Sequence, residues 1–305
     1  MKLEVRDIEY FAVVAKNGHV GRAAEQLGLS QPALSKSLRR LEQSLGAKLV
    51  KRTPKGVDLT EVGAALLSRV RGLQLTLEDI AREAADLSEG RAGRVRVGAD
   101  PAVAVAILPE VCSALLASAP KVTVSVTINA GPAILLPALR RGEFDAVVSH
   151  TGPIALYNGL ALEPLWNNEF VMYCSTTHRL ARRKSVVLAD LVNEGWVGTE
   201  GAVLTSPQSL TLLFANHGLP PPRIALTSDS GMLNHRTVAA SDLLGFGTRT
   251  TLVHYADLMA LRVRDFQRIR SVSVSYRPDA YLSPAALRFL EVLKATAKKV
   301  FADAQ

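Results

Sequence analysis

Seven basic residues fall between positions 36 and 55: Lys36, Arg39, Arg40, Lys48, Lys51, Arg52 and Lys55. Glu42 is the one acid in that stretch, which leaves a local excess of +6. Such a cluster suits the neutralisation of phosphates, and its competing reading is a solvated helix face. Other chemistry finds few footholds. The sequence contains no GxSxG, no HExxH and no P-loop, and Gly245-Phe246-Gly247 lacks the third glycine of a dinucleotide fingerprint. His254 and Asp257 form an HxxD pair with no further ligands around it. Cys112 and Cys174 show no CxxC or metal-ligand spacing, and read as two buried free thiols in a reducing compartment. No catalytic residue, metal or cofactor is therefore expected.

The elements around the cluster explain what it would be for. An apolar helical period runs through Ile8, Phe11, Ala12, Val14 and Ala15 and stops at Asn17-Gly18. A short second helix is expected near Arg22 to Leu27. A third opens at Gln31-Pro32, with Ser30 suited to cap it and Pro32 harmless in its first turn. The spacing Ala24, Gly28, Leu34 is what a helix-turn-helix needs: a small residue for close approach, a glycine for the turn, and an apolar residue to lock the third helix down. Leu34, Leu38, Leu41 and Leu45 make an inner face on that helix, and Gln31, Ser35, Lys36, Arg39 and Arg40 an outer one. Two extended runs, 47–52 and 57–60, flank a Pro54-Lys55-Gly56 turn and read as a β-hairpin wing that carries bases toward a phosphate backbone.

Arg22-Ala23-Ala24-Glu25, Leu29-Ser30-Gln31-Pro32-Ala33-Leu34-Ser35, Leu41-Glu42, Leu45-Gly46 and Leu59-Thr60 together resemble the winged helix-turn-helix of LysR-type transcriptional regulators. Gly21 departs from that pattern by standing where the family places a Thr or Ser cap, a role glycine can also fill. The resemblance implies that the third helix enters the major groove of double-stranded promoter DNA. Gln31, Pro32, Ser35 and Lys36 are then expected at base edges or nearby phosphates, and Arg39, Arg40, Arg52 and Lys55 at the backbone.

Downstream, Leu66, Val70, Leu73, Leu77, Ile80, Ala84 and Leu87 are spaced 4, 3, 4, 3, 4, 3, an a/d seam flanked by charges, with Thr60 placed to cap the helix. An amphipathic helix packed on its own domain would show the same period. The family resemblance favours dimerisation through this seam, with half-sites roughly 34 Å apart. Ser88 to Gly93 reads as a hinge.

From Arg94 onward short strands alternate with helices. The expected strands are 95–98, 122–128, 146–149, 170–174, 196–198, 224–227, 243–247 and 271–276, in a largely parallel sheet. Gly93 to Gly98, Leu108-Pro109, 139–145, Leu162-Glu163-Pro164-Leu165 and Val238-Ala239-Ala240 before Gly245 resemble the effector-binding domain of the same family, built like a type II periplasmic binding protein. Arg179 stands in place of a proline common after the position of His178, and Asp100 in place of a frequent Ser or Thr. The resemblance implies two subdomains joined by two crossing strands, with a ligand cleft lined by strand C-terminal ends and helix N-termini. Candidate lining residues are Asp100, Pro101, Asn129, Ala130, His150, Thr151, Thr199, Ser206, Ser230, Phe246 and Thr248. Beyond residue 90 there are 22 bases and 16 acids, a balance that favours an anionic effector such as a carboxylate, whereas Asp100 argues against one.

The whole is expected to be an α/β multidomain chain, since 305 residues suit two or three domains of about 100–200 residues each. Its parts are a winged helix-turn-helix over 1–60, a linker helix and hinge over 61–90, and an effector domain over 91–305. In the last, subdomain 1 takes about 91–163 and 267–305 and subdomain 2 about 164–266. The net charge of +8 permits nucleic acid, acidic membranes or anionic ligands. The first residues lack a secretory h-region and no apolar run approaches 18 residues, so the expected location is the cytoplasm. A solute-binding protein for a transporter would share the C-terminal fold but would need export, and would have no use for a basic helix-turn-helix. A regulator whose α/β domain only oligomerises stays open. The expected partners are DNA, a small molecule, a second copy of the chain and RNA polymerase, with no membrane.

Overall fold

The computed structural model describes residues 3–54, 56–67, 69–70, 77, 80–81, 84, 93–129, 131–200 and 204–302. The chain divides into two compact units, residues 1–84 and 85–305.

In the first unit α1 (Val5–Asn17), α2 (Val20–Gln26) and α3 (Gln31–Leu45) are followed by the strands β1 (Val50–Thr53) and β2 (Gly56–Leu59). Ile8, Phe11 and Val14 lie one turn apart and are buried, the face that the apolar period marks out. Gly28 carries a φ of 63°, a left-handed turn that an L side chain resists. Ala23, Ala24, Val14 and Leu34 close one apolar cluster beneath that turn. The second helix begins two residues before the expected Arg22. Its cap is His19, whose Nδ1 accepts the Gly21 N–H at 3.1 Å, so the capping role expected of Gly21 falls to an imidazole. β1 and β2 pair antiparallel with Thr53 opposite Gly56, as the wing reading requires.

Thr60 caps the helical segment that starts at residue 61, accepting from the Gly63 N–H at 3.0 Å while its own hydroxyl donates to the Lys48 carbonyl at 2.6 Å. The segment passes so close to β1 that a Cβ at Gly63 would lie 2.0 Å from the Leu49 carbonyl oxygen. The expected dimer seam therefore divides. Val70 is only 2 % exposed and packs with Ile8, Phe11, Leu38, Leu41 and Leu49, with Leu66 beside it. Val70 belongs to the unit's own core and the half-buried Leu66 packs on its edge, since a heptad period records an apolar stripe and not the chain that covers it. Leu77 and Ile80 are exposed, Ile80 by 56 %. Leu73 and Leu87 lie outside the described residues.

The second unit holds a nine-stranded sheet. Its strands are β3 (Arg94–Ala99), β4 (Thr123–Ile128), β5 (Ala146–His150), β6 (Ala161–Ser175), β7 (Gly195–Thr199), β8 (Arg223–Ser228), β9 (Leu243–Thr248), β10 (Leu258–Ala260) and β11 (Arg268–Tyr276). The order is β4-β3-β5-β11-β6-β9-β7-β8, with β10 on β6. The largely parallel sheet expected from the sequence is corrected to a mixed one. β3 is parallel to β4 and β5, and β7 to β8 and β9, whereas β6 and β11 run antiparallel to each other and to their outer neighbours. These two long strands are the crossing pair, and they pass from the β3–β5 half to the β7–β9 half.

Between the strands lie α4 (Pro101–Ser118), α5 (Pro132–Arg140), α6 (Pro207–Asn216), α7 (Gly231–Ala239), the single turn α8 (Arg249–Leu252) and α9 (Pro284–Val300). The helix α4 is 18 residues long with a mean hydropathy of 1.8, although Glu110 interrupts its apolar run. Val103, Ile107, Leu108, Val111 and Leu115 nonetheless pack with β3, β5 and α9 in the sheet's core, each side chain stabilising the fold by about 1.5–3 kcal/mol. A second core gathers Phe170, Trp196, Leu210, Phe214, Leu244 and Phe246 in the other half.

Candidate nucleic-acid interface and effector cleft

On α3 the local sequence separates a core face from an outer one. Ser30 Oγ accepts the Ala33 N–H at 3.3 Å and Pro32 sits in the first turn. Leu34, Leu38 and Leu41 are buried, while Gln31, Pro32, Lys36, Arg39 and Arg40 are exposed and Ser35 is half-buried. The helix thus presents short polar side chains at its N-terminal end and cations along its length, a pattern able to meet base edges and phosphates. Arg39 lies along its own helix, with Nε donating to the Ser35 carbonyl at 3.3 Å. The Arg52 backbone lies in β1, and Lys55 lies outside the described residues.

Arg40 has a structural use besides the one its charge suggested. Its guanidinium donates to both carboxylate oxygens of Asp7, with Nε 2.6 Å from Oδ2, and Glu4 lies 3.0 Å away. Asp7 is buried and also accepts from Ser37 Oγ, so the cluster ties α3 to α1. The Arg40 hydrogen bonds hold the Asp7 carboxyl below the usual range, against a smaller opposing push from burial. Two residues further along α3, Glu42 accepts the Leu49 N–H at 2.9 Å and the Lys48 ammonium at 2.7 Å. Burial pushes its pKa up, but these bonds prevail and hold it low.

In the second unit the C-terminal ends of β3 and β5 bring Asp100 and His150 together. Asp100 caps α4 through Oδ1, which accepts the Val103 N–H at 2.9 Å, while Oδ2 accepts both the His150 backbone N–H and its Nδ1–H at 2.8 Å. A carboxylate only accepts, so the Nδ1 proton is assigned. In the neutral ring Nε2 accepts from Asn168 Nδ2 at 3.2 Å, and Asn168 Oδ1 accepts from Thr250 Oγ1 at 3.1 Å. Thr250 reaches Thr248 at 3.3 Å, and Thr248 meets Thr251. Burial raises the Asp100 pKa, yet the His150 contact and the two backbone N–H groups outweigh it and hold the carboxyl low. This buried polar chain crosses from β5 through β6 to α8, linking both halves of the sheet. Inside a protein such a fully paired chain is firm, whereas breaking one link leaves several buried groups unsatisfied.

The other candidates divide. Thr151 bonds back to β11 through its N–H on the Ser271 carbonyl and through its hydroxyl with Ser273. Thr199 accepts from Asn234 Nδ2 at 3.3 Å at the end of β7. Ser206 caps α6 with Pro207 next to it, and Ser230 caps α7. Pro101 and Asn129 are exposed at the ends of β3 and β4. Phe246 is turned into the core between Phe170 and Phe266, and Ala130 lies outside the described residues. Asn168, Thr250 and Asn234 were not anticipated. Asn168 left a usable sign, a polar Asn167-Asn168-Glu169 run inside an otherwise apolar stretch, with Asn168 itself completely buried by the sheet. Among the described residues, surface cavities include one of about 540 Å³ around His178, Arg179, Arg182 and Glu194, and one of about 400 Å³ beside Phe170, Arg249, Arg262 and Phe266.

Comparison with known proteins agrees with both halves of this geometry. Residues 5–64 match the family described as bacterial regulatory helix-turn-helix protein, lysR family, and residues 88–298 match the LysR substrate binding domain. The HTH-type transcriptional regulator GbpR of Azospirillum brasilense is 27 % identical over 299 residues, which cover 96 % of this chain and 86 % of that protein. Among solved structures, full-length CbnR complexed with its target DNA superposes with a TM-score of 0.60 at 22 % identity, covering 96 % of this chain and all of the other. Full-length OxyR from Pseudomonas aeruginosa, solved as a cysteine-to-aspartate variant, gives 0.63 at 21 %, covering 100 % and 98 %. These two likenesses show the shared fold; the matched families over both units show membership. The chain belongs to the LysR family and is a LysR-type transcriptional regulator, built from a DNA-binding helix-turn-helix and a substrate-binding domain.

Proposed function

We propose that the chain binds promoter DNA in the cytoplasm as a dimer or tetramer, reads it with the N-terminal end of α3, and changes its grip when a small anionic effector enters the cleft of the second unit. The observation that carries this reading is the outer face of α3, where Gln31, Pro32, Ser35 and Lys36 stand clear of the core that Leu34, Leu38 and Leu41 fill. Gln31 can bond adenine bidentately, and Lys36 and Arg39 supply backbone contacts that set register without reading sequence. The exposed Leu77 and Ile80 support pairing with a second copy through the later part of the linker segment.

An effector acts here only through its different affinities for two arrangements of the protein. The basic balance beyond residue 90 supports an anion, and a promoter-bound regulator of this kind has RNA polymerase as its further partner. The direct test is Ser35→Arg. It should abolish specific DNA binding, by about 100-fold or more in Kd, while analytical ultracentrifugation finds the same oligomer as wild type. Wild-type affinity in that variant would overturn the assignment of α3.

A further inference from the structure

The face of the sheet shared by β6 and β11 carries positive charge that its own residues leave uncompensated. The antiparallel register sets Arg268 opposite Phe170 and Arg270 opposite Asn168. Directly opposed residues, and residues two apart on one strand, project from the same face. That face is the one where Asn168 meets His150, and where the Phe170 ring lies 5.1 Å from the His150 ring. Both arginines therefore stand over the crossing strands, between the two halves of the second unit.

Arg268 is half-buried, and its contacts are neutral: Nη1 lies 3.2 Å from Ser209 Oγ and 3.5 Å from the Leu204 carbonyl, at the start of α6. Neither Arg268 nor Arg270 pairs with a carboxylate among the described residues. Arg96, Arg141, Arg249 and Arg288, by contrast, each rest on one within 3.0 Å. The nearby acids are already committed. Asp100 has its oxygens taken by His150 and the Val103 N–H, and Glu169, on the alternate face of β6, pairs with Arg249. Burial first, and the charge of Arg270 second, make the protonated Arg268 harder to hold than an ordinary arginine. A partly desolvated guanidinium without a counter-charge costs free energy, and an oxyanion taken by its planar fork removes that cost.

We infer that Arg268, with Arg270 beside it, is the specificity-determining residue of the effector cleft, holding the carboxylate, sulfonate or phosphate group of a small anion over the crossing strands. This rests on reading the second unit as the effector domain. It also reconciles Asp100 with an anionic ligand: that carboxylate is sequestered by His150, and the anion is anchored from Arg268 instead.

The test is calorimetric titration of the full chain with sulfate, inorganic phosphate and succinate, against sodium chloride at matched ionic strength. Saturable binding of at least one oxyanion is expected, weakened at least tenfold by Arg268→Gln and a few-fold by Arg270→Gln. Arg288→Ala, on the exposed side of α9, should leave it unchanged. Arg268→Gln should also melt no lower than wild type without anion, since it removes an uncompensated cation; this separates loss of a ligand contact from misfolding. Binding that equals chloride for all three anions, or that survives Arg268→Gln, would overturn the proposal. Arg268-dependent binding that leaves DNA affinity untouched would uphold the anion site and overturn the effector reading on which its regulatory role rests.

Discussion

The residues of the first unit proposed to meet DNA lie between Gln31 and Lys55, while the polar residues that pair in the second come from segments as far apart as Asp100 and Thr250. In the first unit one helix and one hairpin position the whole surface, so its geometry follows from turn chemistry and an apolar period over a few dozen residues. In the second, Asp100 meets His150, His150 meets Asn168, and Asn168 meets Thr250 only after the two halves of the sheet have come together. A site of the first kind can be read from spacing. A site of the second kind depends on which polar groups are used up by one another, and spacing does not record that.

The largest effect that would sharpen this contrast is Gly63→Ala. A Cβ there would meet the Leu49 carbonyl oxygen, a backbone atom with nowhere to go, so a loss on the order of 4 kcal/mol or more is expected. Differential scanning calorimetry should show the transition of the first unit lost or strongly lowered, and that of the second in place. A single unchanged transition would break the division into two units.

Next comes the divided seam. Val70→Ala should destabilise the first unit by about 1–3 kcal/mol, because it empties space among Phe11, Leu41 and Leu49. Ile80→Asp should leave the melting midpoint nearly unchanged and weaken self-association by about tenfold or more, since it sets a charge in an apolar contact. Equal effects of both variants on association would return Val70 to the interface.

The smallest effect separates Arg40 from its neighbours on α3. Lys36→Ala should reduce the salt slope of DNA binding by about 1, as a lost phosphate contact does, whereas Arg40→Ala should leave the slope and lower the melting midpoint. Asp7 adds a pH signature. Its folded pKa lies below the unfolded value of about 3.9, so its stabilisation is complete above that value and is lost as the pH falls through the folded one. Asp7→Asn should therefore be less stable than wild type at neutral pH and show a shallower acid-unfolding curve.

The helix-turn-helix was legible because each of its requirements is local: the turn glycine, the Ser30 cap and the Leu34 lock all sit where the spacing placed them. The His19 cap was missed because imidazole is an uncommon cap, and Val70 because a stripe does not name its partner. The second unit was legible as alternating strands and helices, but the strand expected over 170–174 is the end of β6, fifteen residues long. Glu163, Pro164, Asn167 and Asn168 hid its beginning, since a proline and polar groups break the apolar run by which strands are recognised. Those same residues make the crossing strand, and Asn168 among them is the middle link of the polar chain. Arg268 had no local sign, because its lack of a carboxylate partner is a property of the folded sheet.

The most direct measurement is fluorescence-anisotropy binding of the full chain to the DNA upstream of its own gene, against a scrambled duplex, over a salt series. A preference of roughly 10³ or more for the upstream DNA, with affinity falling steeply as salt rises, is expected of a regulator that reads bases through α3 and contacts several phosphates. Failure to bind either duplex at low salt would contradict that reading.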